Sequence, residues 1–349
     1  MPIFPWRVET KYKDASISLA LPQSSPMSSA MAAPPSPPSN IGLWTILSES
    51  RRVLRAQPPL FQTLLLLFLL PSSFLLSLYP FIYKLFSPTT ESHISSLQQN
   101  PPVVSFPIKP FIFNLIYSLI ISAFSNFAAG SITYSVFNGF YGRPVKPSSA
   151  IKAAFTSFFP LISTSLVQSL IISGISLILG LVFFALLKGF QVDYSSSYIF
   201  ILLLAYVLIL MFISFYLNVN WIFAYVIVVV ESSWGLEPLK RSQILVKGIK
   251  GVALKILLFF GFLSSICVWN SILQSGGSAG DEWKSWSFFC NIIGATAFYM
   301  VIMLYNLAAY TVFYIYSKAL HGELAEEFAG DYVSLPFDDG KVPLVVSTV

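Results

Sequence analysis

Six stretches of this chain, 60–83, 111–137, 153–187, 194–230, 256–275 and 287–317, contain no Asp, Glu, Lys, Arg or His. An α-helix rises about 1.5 Å per residue, so about 20 apolar residues cross the roughly 30 Å of bilayer hydrocarbon. Every stretch is long enough. Inside hydrocarbon each backbone N–H and C=O must be paired within the protein, and a continuous apolar run achieves that as a helix. The third and fourth stretches exceed one crossing, so part of each must tilt, kink or run on into the interface. The fourth has no Pro or Gly, so nothing marks a hairpin; its strongest polar interruption is Asn218 and Asn220, beside Trp221. The sequence predicts an all-α integral membrane protein with six transmembrane helices.

Composition agrees. Of 349 residues, 55% are hydrophobic and 10% charged, against about 25% charged in an ordinary soluble chain. So few charges cannot coat a globule in water. A soluble enzyme, a disordered chain and a nucleic-acid-binding domain are excluded. Two cysteines leave no room for a disulfide scaffold or a four-ligand zinc site.

Threading six spans places sixteen of the twenty lysines and arginines on one side and four (Lys84, Lys109, Lys188 and Lys284) on the other. By the positive-inside rule the side with sixteen is cytosolic, and both termini lie there. Plasma membrane or endoplasmic reticulum is the expected location. Residues 1–40 form a Ser-, Ala- and Pro-rich tail expected to be disordered. It has no apolar core before a small-residue cleavage site, so no secretory signal is predicted, and Glu9 and Asp14 speak against a transit peptide. Met27 and Met31 stand as alternative starts just before the ordered region. The six-span domain covers 41–320, and an acidic cytosolic tail follows over 321–349.

Three basic segments on the cytosolic side share a plan. In 41–55, Leu43, Leu47, Ser50 and Leu54 fall along one helical face, with Ile46 and Val53 beside them and Arg52 and Arg55 opposite. Asn40 suits the N-cap, and Pro58-Pro59 ends the helix. A similar segment occupies 146–160, between Pro147 and Pro160. The third, 235–251, sets Leu239, Ile244, Leu245 and Ile249 against Lys240, Arg241, Lys247 and Lys250. Each is an interfacial amphipathic helix ahead of a transmembrane hairpin, which suggests three repeats starting near 41, 147 and 236. Arg51, Arg52, Arg55, Lys240, Arg241 and Lys247 are the candidate contacts to anionic lipid headgroups.

The search for chemistry is mostly negative. Ion- and proton-coupled carriers keep ionisable groups inside the membrane, and here a proton relay has no carrier. His93 and His321 lack Cys, Asp or Glu at metal-ligand spacing, and no HExxH, GxSxG or Walker loop occurs. Asp193, Asp281 and Glu282 read as sparse loop charges rather than acid catalysts. No catalytic residue, metal ligand or cofactor is predicted, and no N-x-S/T sequon occurs. Cys267 and Cys290 lie toward the same end of the last two spans, within disulfide reach if those helices are neighbours; small buried thiols are the expectation.

The amides Asn114, Asn126, Gln168, Asn218, Asn220, Asn270, Asn291 and Asn306 must find partners away from lipid, so they are expected to face the bundle interior. Ser122, Asn126 and Gly130 share a four-residue spacing that suits a close helix contact. Gln168, Asn218 and Asn220 are the candidate polar path. Glu231 falls where the fourth span leaves the membrane, and an ion pair with Arg241 is expected there.

The run E-x3-G-x3-L-x-R-S-x2-L-x-K-G, carried by Glu231, Gly235, Leu239, Arg241, Ser242, Leu245, Lys247 and Gly248, resembles a cytosolic signature of uncharacterised plant multi-pass membrane proteins. More distantly it is similar to the membrane domain attached to bacterial glycerophosphoryl diester phosphodiesterases. The resemblance covers about 41–319 and implies architecture. No phosphodiesterase catalytic domain is present, so that activity is not implied. Some relatives are labelled partners of a polyadenylate-binding protein, but no RNA-binding feature accompanies the run here.

After His321 the tail holds six acids against one Lys and suits folding back on the basic helices or binding a protein partner. Its terminal Ser-Thr-Val has the form of a PDZ ligand. The functional expectation is a non-enzymatic scaffold, assembly factor or regulator in a plant membrane. The alternative is a facilitative transporter or channel for a small or lipidic solute, with Gln168, Asn218 and Asn220 lining its path.

Overall fold

The computed structural model describes residues 42–86, 108–189, 197–275 and 286–323, all within one unit that begins at residue 37. The 1–40 tail, His93, Asp193, Asp281, Glu282 and the tail beyond Glu323 with its terminal Ser-Thr-Val lie outside the described residues.

Every described element is helical: α1 (Leu43–Ala56), α2 (Pro58–Leu64), a π-turn (Leu65–Leu69), α3 (Leu70–Phe86), α4 (Ile108–Phe140), α5 (Pro147–Gly189), α6 (Ser197–Asn220), α7 (Ala224–Val230), α8 (Glu237–Leu245), α9 (Lys250–Ser275) and α10 (Trp286–Leu320). Six segments are long and apolar enough to cross a membrane: Pro58–Tyr83, Pro110–Phe140, Pro147–Lys188, Phe200–Val230, Lys250–Asn270 and Trp286–Leu320. The chain is an all-α integral membrane protein with six spans.

The first span is α2, the π-turn and α3 in series. Pro71 explains the irregularity: its ring has no N–H to donate and crowds the carbonyl four residues back, and widening the preceding turn relieves both. Pro147 starts α5, and Pro160 is absorbed without ending it, so the second amphipathic segment continues straight into its span for 43 residues. In the first and third segments the helix breaks before the membrane: α1 stops at Gln57, and α8 is separated from α9 by a turn at 246–249.

The sequence expects α1 in the headgroup layer but does not say what its apolar face meets. Its apolar face, Ile46, Ser50, Val53 and Leu54, is buried against α10, α4 and α9. Gly139 makes the room, since a Cβ there would sit 3.2 Å from Val53 Cγ1. The junction is clamped by Gln57, whose Nε2 donates to the Arg143 carbonyl (3.3 Å) and whose Oε1 accepts from the Val145 N–H (3.4 Å).

The core gathers at the end of the bundle that holds α1 and α8. Ile46, Leu64, Ile132, Phe223, Leu245, Ile256, Phe313 and Tyr314 are fully buried there. Phe127 of α4 stacks on Phe158 of α5 at 4.3 Å and on Phe68 of the π-turn at 5.7 Å. Toward the opposite end the helices stand in looser company. Leu170, Leu177, Leu181, Phe200 and Phe212 on α5 and α6 are all more than half exposed, the condition of side chains whose solvent is lipid.

Candidate functional site

Two local arrangements account for the residues that the sequence singles out. One is a break in the fourth span; the other is the outward face of α1.

The fourth stretch is one span, but α6 stops at Asn220 and α7 begins at Ala224. Between them Trp221, Ile222 and Phe223 form a turn, with the Ala224 N–H donating to the Trp221 carbonyl at 3.0 Å. Breaking a helix in a buried place leaves backbone groups to be paired. Ser242 of α8 pairs them. Its Oγ donates to the Asn220 carbonyl (2.8 Å) and accepts the Phe223 N–H (3.2 Å). Trp221, Ala224 and Leu239 of α8 are buried together beside this bridge.

Further contacts hold α8 in place. Arg241 Nε lies 3.5 Å from Glu231 Oε2, and its Nη2 donates to Glu323. Tyr314, fully buried on α10, donates its hydroxyl to Glu231 Oε1 at 2.6 Å. Partial burial pulls the Arg241 pKa down, but the hydrogen bond to Glu323 and the charges of Glu231 and Glu323 outweigh it, and the net shift is upward. Ser317 Oγ donates to the Leu245 carbonyl at 2.7 Å. Gly235, at φ +77°, donates its N–H to Thr164 Oγ1 of α5 at 3.1 Å.

The run from Glu231 to Gly248 therefore has a structural reading residue by residue. Glu231 and Arg241 pair, Gly235 and Gly248 take positive φ (+77° and +95°), Leu239 and Leu245 are buried, and Ser242 fills the break. Lys247 stays exposed with Lys240. Ile244, expected on the apolar face, is 57% exposed, because Pro238, Leu239, Ser242 and Leu245 form the buried face instead.

The candidate polar path is partly assembled. Gln168 Nε2 donates to Asn218 Oδ1 at 3.5 Å, and Tyr225 Oη donates to Gln168 Oε1 at 3.2 Å. Asn220 is apart from them, buried, with Nδ2 donating to the Tyr216 carbonyl of its own helix at 2.8 Å. Elsewhere Asn270 pairs with Asn291 across α9 and α10 (2.9 Å), Tyr79 with Asn114 across α3 and α4 (3.2 Å), and Asn126 with Ser122 within α4 (3.3 Å).

On α1, Arg51, Arg52 and Arg55 all project outward. Arg52 pairs with Glu49 at 2.9 Å; among the described residues neither Arg51 nor Arg55 has an ion-pair partner. A hollow of about 440 Å³ is lined by Ser48, Arg51, Arg52, Arg55 and Ala56.

Tyr314 and Ser317 are not among the residues the sequence points to, whereas Glu323 is the first acid of the tail expected to fold back on the basic helices and meets Arg241 of α8. Tyr314 and Ser317 are each more than 70 residues from their partners, so no local pattern announces them.

Fold and site define a multi-pass helical membrane protein whose basic helices are locked onto one end of the bundle. A family model described as "Domain of unknown function (DUF8558)" matches residues 36–335. The chain belongs to that family. No curated protein and no solved structure matches it. The family match carries no link to plants or to phosphodiesterase membrane domains.

Proposed function

We propose that the protein is a non-enzymatic membrane scaffold or regulator whose α1 and α8 end rests on anionic phospholipid headgroups at the cytosolic leaflet. One observation carries this reading: α1 is fixed to the bundle by its buried face while Arg51, Arg52 and Arg55 point away from it. A basic helix held rigidly at headgroup level keeps its charges near anionic lipid without ordering a free segment first. The acidic tail beyond Glu323 is the proposed contact for a protein partner. Cytosolic termini follow from the charge asymmetry. A plant plasma membrane or endoplasmic reticulum, and kinship with the phosphodiesterase membrane domains, rest on the resemblance of the 231–248 run.

The test replaces Arg51, Arg52, Arg55, Lys240 and Lys247 together with Gln and compares location in the cell and co-purifying proteins with the wild type. Arg241 is left intact because it braces α8. Loss of the native location or of the co-purifying set is expected. If both survive the five changes, the scaffold reading is wrong.

A facilitative carrier is the second reading, favoured by the broken fourth span with Gln168, Asn218 and Tyr225 bonded near the break. Broken helices are where many carriers place their sites. The three side chains bond to one another, which is why this reading stands second. Solute flux in proteoliposomes that Gln168→Leu abolishes would reverse the order.

A further inference from the structure

A cleft of about 520 Å³ runs between α1, α9 and α10, with Leu47, Phe260, Leu263, Phe298 and Ile302 among its walls and Arg51 at its rim. Ser48 and Arg51 line both this cleft and the basic hollow on α1, so the apolar cleft and the cationic hollow lie side by side. At its far end Phe298 is shared with a third hollow of about 440 Å³ beside Asn270 and Asn291, continuing down the seam of α9 and α10.

We propose that this composite cleft is the seat of one anionic glycerophospholipid, its phosphate at Arg51 and Arg55 and one acyl chain along the α9–α10 seam. The inference rests on the reading above that this end of the bundle lies at headgroup level.

Three features favour such a lipid over a peptide or a second copy of the chain. The polarity is graded in one direction, from three arginines to an aromatic and aliphatic lining, which matches a headgroup joined to a chain. Arg51 and Arg55 have no ion-pair partner among the described residues, leaving two guanidinium forks for the bidentate hydrogen bonding that phosphate oxygens accept. Depth fits as well. From Tyr305 to Phe298 the cleft follows seven residues of α10, about 10 Å, which stays within one leaflet of a hydrocarbon core roughly 30 Å thick.

The experiment uses the full chain in nanodiscs of phosphatidylcholine with a minor fraction of phosphatidylglycerol. After detergent exchange, native mass spectrometry counts the retained lipids. Wild type is expected to keep one phosphatidylglycerol. Arg51→Gln should weaken its retention about tenfold, the value of one charge-assisted hydrogen bond. Leu263→Trp should exclude the lipid by filling the cleft. Lys146→Gln with Lys152→Gln, at exposed lysines of the second basic segment, should leave retention unchanged.

Absence of bound phosphatidylglycerol in wild type overturns the proposal, as does retention unaffected by Arg51→Gln. An equal loss in the Lys146/Lys152 variant points to diffuse attraction by the whole basic end; it sinks the defined seat while the scaffold reading stands. Arg51 is exposed, so its variant tests the proposal even if Leu263→Trp fails to fold. Inorganic phosphate added to detergent-solubilised protein should not displace the lipid. Displacement would mean that the headgroup alone is recognised, and the acyl seat is then wrong.

Discussion

Ser242 Oγ donates to the Asn220 carbonyl at 2.8 Å, and the same oxygen accepts the Phe223 N–H at 3.2 Å. One hydroxyl on α8 thus pairs backbone groups on both sides of the break in the fourth span. It does so where Phe223 and Ser242 are fully buried and Asn220 nearly so, out of reach of water. Stranding a buried donor or acceptor costs about 1–3 kcal/mol per group. Ser242→Ala is therefore expected to lower the melting temperature in nanodiscs by several degrees. Ser131→Ala is the control: Ser131 is as buried, but its hydroxyl bonds only carbonyls of its own helix. Equal melting of the two variants would show that Ser242 does not hold the break together.

Arg241 is shared by Glu231 and Glu323. With its side chain 31% exposed, neither pair is deeply buried, so a coupling of about 1 kcal/mol between Arg241 and Glu323 is expected. A double-mutant cycle with Arg241→Gln and Glu323→Gln measures it. Because the pair is partly solvated, the coupling should shrink as salt is raised. A coupling near zero at low salt would mean that Glu323 does not anchor the end of α10 to α8.

Much of the fold was legible in the sequence, because a helix in hydrocarbon announces itself by length without charge. The six uncharged runs match the six candidate spans to within a few residues at most ends. A carboxylate at a membrane boundary needs a cation, and the structure sets Glu231 and Arg241 3.5 Å apart. The break at Trp221 was harder to see. Neither Gly nor Pro marks it, and the Asn218–Asn220 polar interruption was its only local trace; what stabilises it is Ser242, 19 residues beyond Phe223. The docking of α1 was hidden for a related reason. An amphipathic helix facing lipid and one facing a bundle show the same periodicity, and only the small residue at Gly139, in another span, distinguishes them.

Cys267 and Cys290 are thiols and not a disulfide, although α9 and α10 are neighbours. Asn291 turns toward α9 to bond Asn270 at 2.9 Å. Adjacent residues on a helix project about 100° apart, so Cys290 faces away from that seam and is exposed. Alkylation of the denatured chain without reductant should add two groups, matching the two cysteines of the sequence. Adducts that appear only after reduction would contradict this geometry.

Gly130 offers the sharpest test of how the spans pack. A Cβ built there would lie 3.1 Å from Ala154 Cα, with Ser157 Cβ at 3.6 Å, so α4 and α5 meet backbone to backbone. Two effects oppose each other in Gly130→Ala. Replacing Gly in a helix interior favours the helix by roughly 0.5–1 kcal/mol. Against it, overpacking costs about 1–3 kcal/mol, and the obstructing atom is main chain on a helix that cannot rotate out of the way as a flexible side chain can. The steric effect should win, with a net loss of about 1 kcal/mol. Gly174, on α5 with nothing within 4 Å of its would-be Cβ, isolates the propensity effect, and Gly174→Ala should be neutral or slightly stabilising. Thermal melts of both variants in nanodiscs decide the matter. If Gly130→Ala is as stable as Gly174→Ala, the α4–α5 contact has room to give and the close approach at Gly130 is not what holds these two helices together.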